Sequence, residues 1–187
     1  MNKIIFCFSL IAIVLGYNRE GAVSYANKFI NNINHKCGSP LKCTPCAYLG
    51  REHCSYKGEY GGDDSANFVS QCIVKGGSHP KLAGRSDYCR GYPCGFEEPD
   101  PSKLAQCLRH KGWKSTCGRL RAPPSNIKKG DVLIYHRASC TDTNAHAAIV
   151  MDVGQNTKIS CHSNTADKVP YTYLTTKPYY EWLHFND

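Results

Sequence analysis

Several things are missing from these 187 residues. No segment repeats and no tract is of low complexity, which sets aside solenoids, propellers and disordered linkers. The formal net charge is +8, yet no run of five or more basic residues occurs, so a dedicated nucleic-acid stripe is not indicated and no nucleic-acid partner is expected. Dispersed positive charge is ordinarily solubility charge. In an exported protein it also favours anionic surroundings such as cell-wall polymers or acidic glycans. Cys43 and Cys46 form a C-x-x-C pair, but no second such pair and no H-x-x-x-H follows, so neither a zinc knot nor any other metal or cofactor is expected.

A long membrane-spanning run is also missing. The most apolar stretch, residues 4–15, is too short for a comfortable span and no stop-transfer charges follow it. With Lys3 before it and the small Gly16 after it, it reads as a signal peptide covering residues 1–16. The expected product is a secreted or vesicle-lumenal protein with no membrane attachment, a single domain over residues 17–187, and a monomer.

What is abundant is cysteine: 12 in all, of which Cys7 leaves with the leader. In an oxidising compartment such density is a disulfide framework. Cys37, Cys43, Cys46, Cys54, Cys89, Cys94, Cys107, Cys117, Cys140 and Cys161 are the bridge candidates. The eleven are odd in number, so at least one thiol is free or pairs between chains. Cys72, on the apolar face of a helix, is the natural choice. The connectivity is not legible in the sequence.

Periodicity gives helices first and strands afterwards. Ala22, Tyr25, Ala26, Phe29, Ile30 and Ile33 recur at three and four, a one-sided helix. A second helix follows Gly61-Gly62, with Asp63 or Asp64 as cap, Phe68, Val69, Cys72 and Ile73 inward, and Gly76-Gly77 as stop. A third opens at Pro101 with Asp100 as cap and turns Leu104, Cys107 and Leu108 inward. Residues 131–136, 146–153 and 158–163 are then β-branched or aromatic runs between turn-prone segments. The tail at 178–185 is either a last strand or an aromatic lid on the core. This order is α+β: helices packed on a small antiparallel sheet, with disulfide-stapled loops.

Three positions could do chemistry together. Residue 65 sits at the first turn of the second helix, where unpaired backbone N–H groups favour negative charge. A nucleophile needs a base, and the base needs an orienter. His146 begins one strand and His162 ends the next. If those strands pair as a hairpin, both rings fall at one edge, facing the helix start. His35, His53, His79, His110, His136 and His184 read as ordinary surface or core histidines.

The stretch Asp-Ser-Ala-Asn-Phe-Val-Ser-Gln at 64–71, ending in Gly76-Gly77, resembles the D-C-[TA]-N-F-V-S-Q…G-G signature of secreted putative amidase domains. These belong to the papain-like clan beside NlpC-like cell-wall peptidases. The start at Tyr17-Asn18-Arg19, the Gly130-Asp131-Val132-Leu133 strand, Ala145-His146-Ala147-Ala148-Ile149-Val150 and His162-Ser163-Asn164 are similar to the family's other segments, in the same order. The resemblance implies a papain/NlpC-like fold with its nucleophile at residue 65, His146 as general base and His162 as orienter, Asn164 being a rival for that last role. Asp64 would be a cap or loop anchor, and Tyr60 would stand near the oxyanion. It implies an acyl-enzyme route to hydrolysis of amide bonds in bacterial peptidoglycan. The departure is the reactive atom: the family has cysteine where this chain has Ser65. That implies strongly reduced activity, or an inactive cell-wall or glycan-binding module that keeps the groove without the chemistry.

Overall fold

The computed structural model describes residues 16–31, 65–78, 100–162 and 166–187. The leader, Tyr60, Asp64, Asn164, and the bridge candidates Cys37, Cys43, Cys46, Cys54, Cys89 and Cys94 lie outside the described residues.

Among the described residues three helices precede six strands, and the class is α+β as the sequence implies. Helix α1 (Arg19–Phe29) starts where Asn18 accepts from the Gly21 N–H at 2.9 Å. Helix α2 (Ser65–Gln71) passes directly into a π-helical turn (Cys72–Gly76). Helix α3 (Pro101–His110) is capped by Asp100, which accepts from the N–H groups of Ser102 and Lys103. The strands are β1 (Lys114–Arg119), β2 (Val132–His136), β3 (Ala145–Asp152), β4 (Lys158–Cys161), β5 (Ala166–Pro170) and β6 (Tyr179–His184). They form one antiparallel sheet in the order β1-β6-β2-β3-β4-β5.

Side chains alternate across a strand, and the sheet has a core on each face. On one face Val132, Ile134, Ala147, Ile149 and Leu183 meet the helices through Ala22, Ala26, Phe68, Ile73, Leu104 and Leu108. On the other, Leu133, Tyr135, Ala148, Val150, Tyr180 and Trp182 pack with Ile127 and Ile159. The tail is therefore a paired strand and an aromatic contributor at once.

Helix α1 and the π-helical turn approach to backbone contact. A Cβ on Gly76 would lie 2.4 Å from Tyr25 Cβ and 2.5 Å from Gly21 O. That proximity explains Gly76 better than a role as a helix stop. Asp131, fully buried, ties the start of α1 and the end of β6 to the start of β2. It takes Arg19 Nη1 at 2.5 Å, His184 Nδ1 at 2.7 Å and the Lys128 N–H at 2.8 Å. A second buried carboxylate, Glu181, receives Arg109, Ser115 Oγ at 2.6 Å and His136 Nε2 at 3.0 Å. Burial pushes the Glu181 carboxyl up, but these donors outweigh it and hold it below the usual carboxylate range. His136 and His184 are thus fasteners inside the molecule.

Of the bridge candidates among the described residues, Cys117 and Cys140 pair with each other and Cys107 is also disulfide-bonded. Cys161 departs from the expectation: it is a buried thiol on β4, packed among Leu133, Ala148 and Ile159 as a small apolar residue. Cys72 is a buried free thiol, as its place on the apolar face of its helix suggests.

Candidate active site

Helix α2 is short and buried along its whole length, Ser65 included at 1% exposed. What fixes it is internal. Gln71 Nε2 donates to Asn67 Oδ1 at 2.7 Å, and Tyr25 Oη donates to Gln71 Oε1 at 3.2 Å, linking α2 to α1. Phe68 and Val69 fill the core between helices and sheet. Of the Asn-Phe-Val-Ser-Gln stretch, Gln71 therefore links helix to helix with Asn67 bracing it, and the apolar residues bind helix to sheet.

The same packing carries the helix start onto β3. The Ala147 N–H donates to Ser65 Oγ at 3.2 Å across 82 residues of sequence. Ser65 is thus delivered to the residue that follows His146. The imidazole itself makes no hydrogen bond to Ser65: His146 Nε2 is buried and has no hydrogen-bond partner. Strand alternation accounts for this. His146 pairs with Tyr135 and belongs to the row of Ala148 and Val150, whereas Ala147 and Ile149 face the helices. Its ring lies 6.2 Å from the Tyr135 ring. The serine meets the strand's backbone from one side while the imidazole stands on the neighbouring row.

Burial dominates the electrostatics of His146. It lowers the imidazole from its ordinary 6.5 to about 4, with the positive charge of Lys177 adding to the effect. Lys177 is placed two residues away by its own hydrogen bonds to the Asn144 carbonyl, at 3.0 Å, and to the Asn144 side chain. At neutral pH the ring is neutral, the form a general base needs.

His162 sits just beyond β4, which does pair with β3 as an antiparallel neighbour. Its ring stacks on Phe68 at 3.9 Å and 17°, and its Nε2 donates to the Phe29 carbonyl at 3.2 Å. The donated proton fixes the tautomer or the charged form at Nε2. The two imidazoles therefore do not share a row, in contrast to the shared edge that a simple hairpin suggests. His162 is held against α1 and α2, on the side from which Ser65 approaches.

Three groups around these residues carry no sequence signal: the Ala147 N–H, the Phe29 carbonyl and Lys177. The first two are backbone atoms, present at every residue. Lys177 lies in an ordinary turn-prone segment. Among the described residues no cluster of three or more His, Cys, Asp or Glu could hold a metal, and no helix is long and apolar enough to cross a membrane.

The comparisons with known proteins agree with the sequence pattern on one point. A family model described as a putative amidase domain matches residues 16–185. No curated protein and no solved structure matches the chain.

Proposed function

This chain belongs to the putative amidase domain family, with amide hydrolysis as its reaction class, and from that premise we propose that it is an exported papain-like amidohydrolase acting on bacterial peptidoglycan. In this reading residue 65 is the nucleophile position, His146 the general base and His162 the orienting residue. The observation that supports it is the delivery of Ser65 to the β3 backbone N–H that follows His146, whose buried, neutral imidazole leaves Nε2 without a partner. Buried polar atoms are ordinarily paired, and exceptions concentrate at working sites.

The chemistry assigned to the site is acyl transfer. The residue 65 heteroatom attacks the amide carbonyl carbon while its proton passes to His146. Collapse of the tetrahedral species expels the amine, which leaves with that proton, and water then cleaves the acyl-enzyme by the same steps. The Ala147 N–H, already aimed at the residue 65 heteroatom, favours its deprotonated form.

Serine makes the first step slow. A thiol ionises far more readily than a hydroxyl, and this serine has no hydrogen bond to the base that would have to activate it. The second reading, a wall- or glycan-binding module without turnover, is favoured by that one observation: Ser65 Oγ is engaged by a backbone N–H and not by an imidazole.

The test is Ser65→Cys. Purified peptidoglycan should release soluble fragments with the cysteine form roughly several orders of magnitude faster than with the serine form, by comparison with disabled catalytic triads. His146→Ala in the cysteine background should abolish the gain. A folded cysteine form that binds peptidoglycan and releases nothing leaves the binding module as the function.

A further inference from the structure

The net charge of +8 has a location. Residues 101–130 contain eight Lys and Arg and no Asp or Glu, which leaves fifteen Lys and Arg against fifteen Asp and Glu in the remainder. The whole formal excess thus sits in one segment. Because the eight are separated by apolar and small residues, the sequence makes no basic run, and only the fold assembles them.

That segment is α3, the edge strand β1 and the loop into β2. All eight cations, Lys103, Arg109, Lys111, Lys114, Arg119, Arg121, Lys128 and Lys129, are exposed. Three face acids: Arg109 meets Glu181, Lys128 meets Asp187, and Lys129 meets Asp152 at 3.3 Å. Lys111, Lys114, Arg119 and Arg121 form no ion pair among the described residues. They run from the end of α3 along the edge of the sheet, with about 17 Å of strand between Lys114 and Arg119.

The far end of this track is built. Leu120 adopts φ 47° and is 61% exposed, a left-handed position that disfavours leucine, and its N–H is held by the Pro178 carbonyl at 2.6 Å. The reversal lays Arg121 over Gly118, where a Cβ would meet Arg121 Cδ at 3.3 Å. Its carbonyl is pinned by Trp182 Nε1 at 3.0 Å. Both arginines are thereby gathered at one end of β1, and the Cys117–Cys140 disulfide ties the middle of the strand to the β2–β3 loop. Cations at a helix C-terminus complement its dipole, and a lysine on an edge strand deters edge pairing. Those roles account for single residues, not for thirty residues without an acid.

We propose that the α3–β1 edge is a docking track for a linear anionic polysaccharide. A regularly charged, flexible polymer needs cations spaced along a line and no more. Single-stranded nucleic acid would add stacking on exposed aromatics, and the segment's one Trp, Tyr or Phe is Trp113, which is 3% exposed. Its strand, β1, lies three strands from β3 in the sheet order. This inference is independent of whether Ser65 turns over.

The experiment compares Lys111→Gln/Lys114→Gln/Arg119→Gln/Arg121→Gln with a control of equal charge change, Lys28→Gln/Arg137→Gln/Lys158→Gln/Lys168→Gln. Binding to polygalacturonate and to a thirty-residue oligothymidylate is measured by fluorescence anisotropy at low and at physiological salt, with circular dichroism confirming the fold of each. Exposed charge contacts change affinity by roughly a factor of two each, so the track variant should lose about tenfold on polygalacturonate and the control at most about twofold. The proposal is overturned if both variants lose equally, if the native protein shows no saturable binding to polygalacturonate at low salt, or if the oligonucleotide binds as tightly as the polysaccharide.

Discussion

Replacing His146 by leucine should make folding stability less dependent on pH, by an amount that the structure sets. The imidazole is 5% exposed, and burial lowers it from 6.5 to about 4. Between those two values the unfolded chain binds a proton at this residue and the folded chain does not, so stability falls as pH falls through that window. It is fully present above about 6.5 and bottoms out below about 4. Each pH unit within the window is worth about 1.4 kcal/mol, and integrating from pH 7.5 to 5.0 gives a loss of about 2 kcal/mol from this one group. The native protein and His146→Leu are unfolded in urea at both pH values, and the difference between them is compared. Asp and Glu effects are common to both chains and cancel. At pH 7.5 leucine also removes an unpaired buried nitrogen, so the variant should be no less stable there, and its advantage should grow by about 2 kcal/mol at pH 5.0. A gap that stays constant within about 0.5 kcal/mol would show a solvated imidazole and refute both the burial argument and the neutral base drawn from it.

Substitutions at three further positions probe the frame. Glu181→Ala removes the acceptor of Arg109, Ser115 and His136 from a site 1% exposed; urea unfolding should show a loss of about 3–5 kcal/mol, and Glu181→Gln, which keeps an acceptor in place, a smaller one. Gly76→Ala forces a Cβ to within 2.4 Å of Tyr25 Cβ and should lower stability by about 1–3 kcal/mol or more. Gly112→Ala, which meets nothing within 4 Å but has φ +88°, should show only the conformational part, about 1 kcal/mol, in the same urea unfolding experiments.

The elements that were legible in the sequence are those whose residues repeat a period. Helices α1 and α3 announced themselves by apolar spacing, α3 also by Asp100 as its cap, and strands β2, β3 and β4 by continuous β-branched or aromatic runs; the Asn18 cap of α1 was not read in advance. Strands β1 and β5 were not legible. Lys114–Arg119 carries Lys, Ser, Thr, Cys, Gly and Arg with no apolar alternation, because an edge strand paired only with β6 has little core to bury. Ala166–Pro170 is the opposite edge and has the same reason. The residues of the candidate site were named from motif order, but their relation was not. Hairpin pairing of β3 with β4 was expected to bring His146 and His162 to one edge. The side on which a ring stands depends on strand parity and on the exit from β4, and neither is written in the motif. The tether of His162 to the Phe29 carbonyl spans 133 residues and uses a backbone atom.

His146 is where structural and functional requirements diverge most. On its row, Ala148, Val150, Leu133 and Tyr135 make an apolar surface, and a leucine at 146 would extend it. The imidazole instead leaves a buried Nε2 unpaired, a defect of about 1–3 kcal/mol. Elsewhere this chain pairs its buried histidines: His136 with Glu181, His184 with Asp131, His162 with the Phe29 carbonyl. His146 Nε2 is the one buried side-chain nitrogen or oxygen among the described residues left without a hydrogen bond, and it stands one residue from the backbone N–H that holds Ser65. A fold that satisfies three histidines and leaves a fourth open, one residue from the strand N–H that holds Ser65, supports the proposed role of that ring in moving a proton.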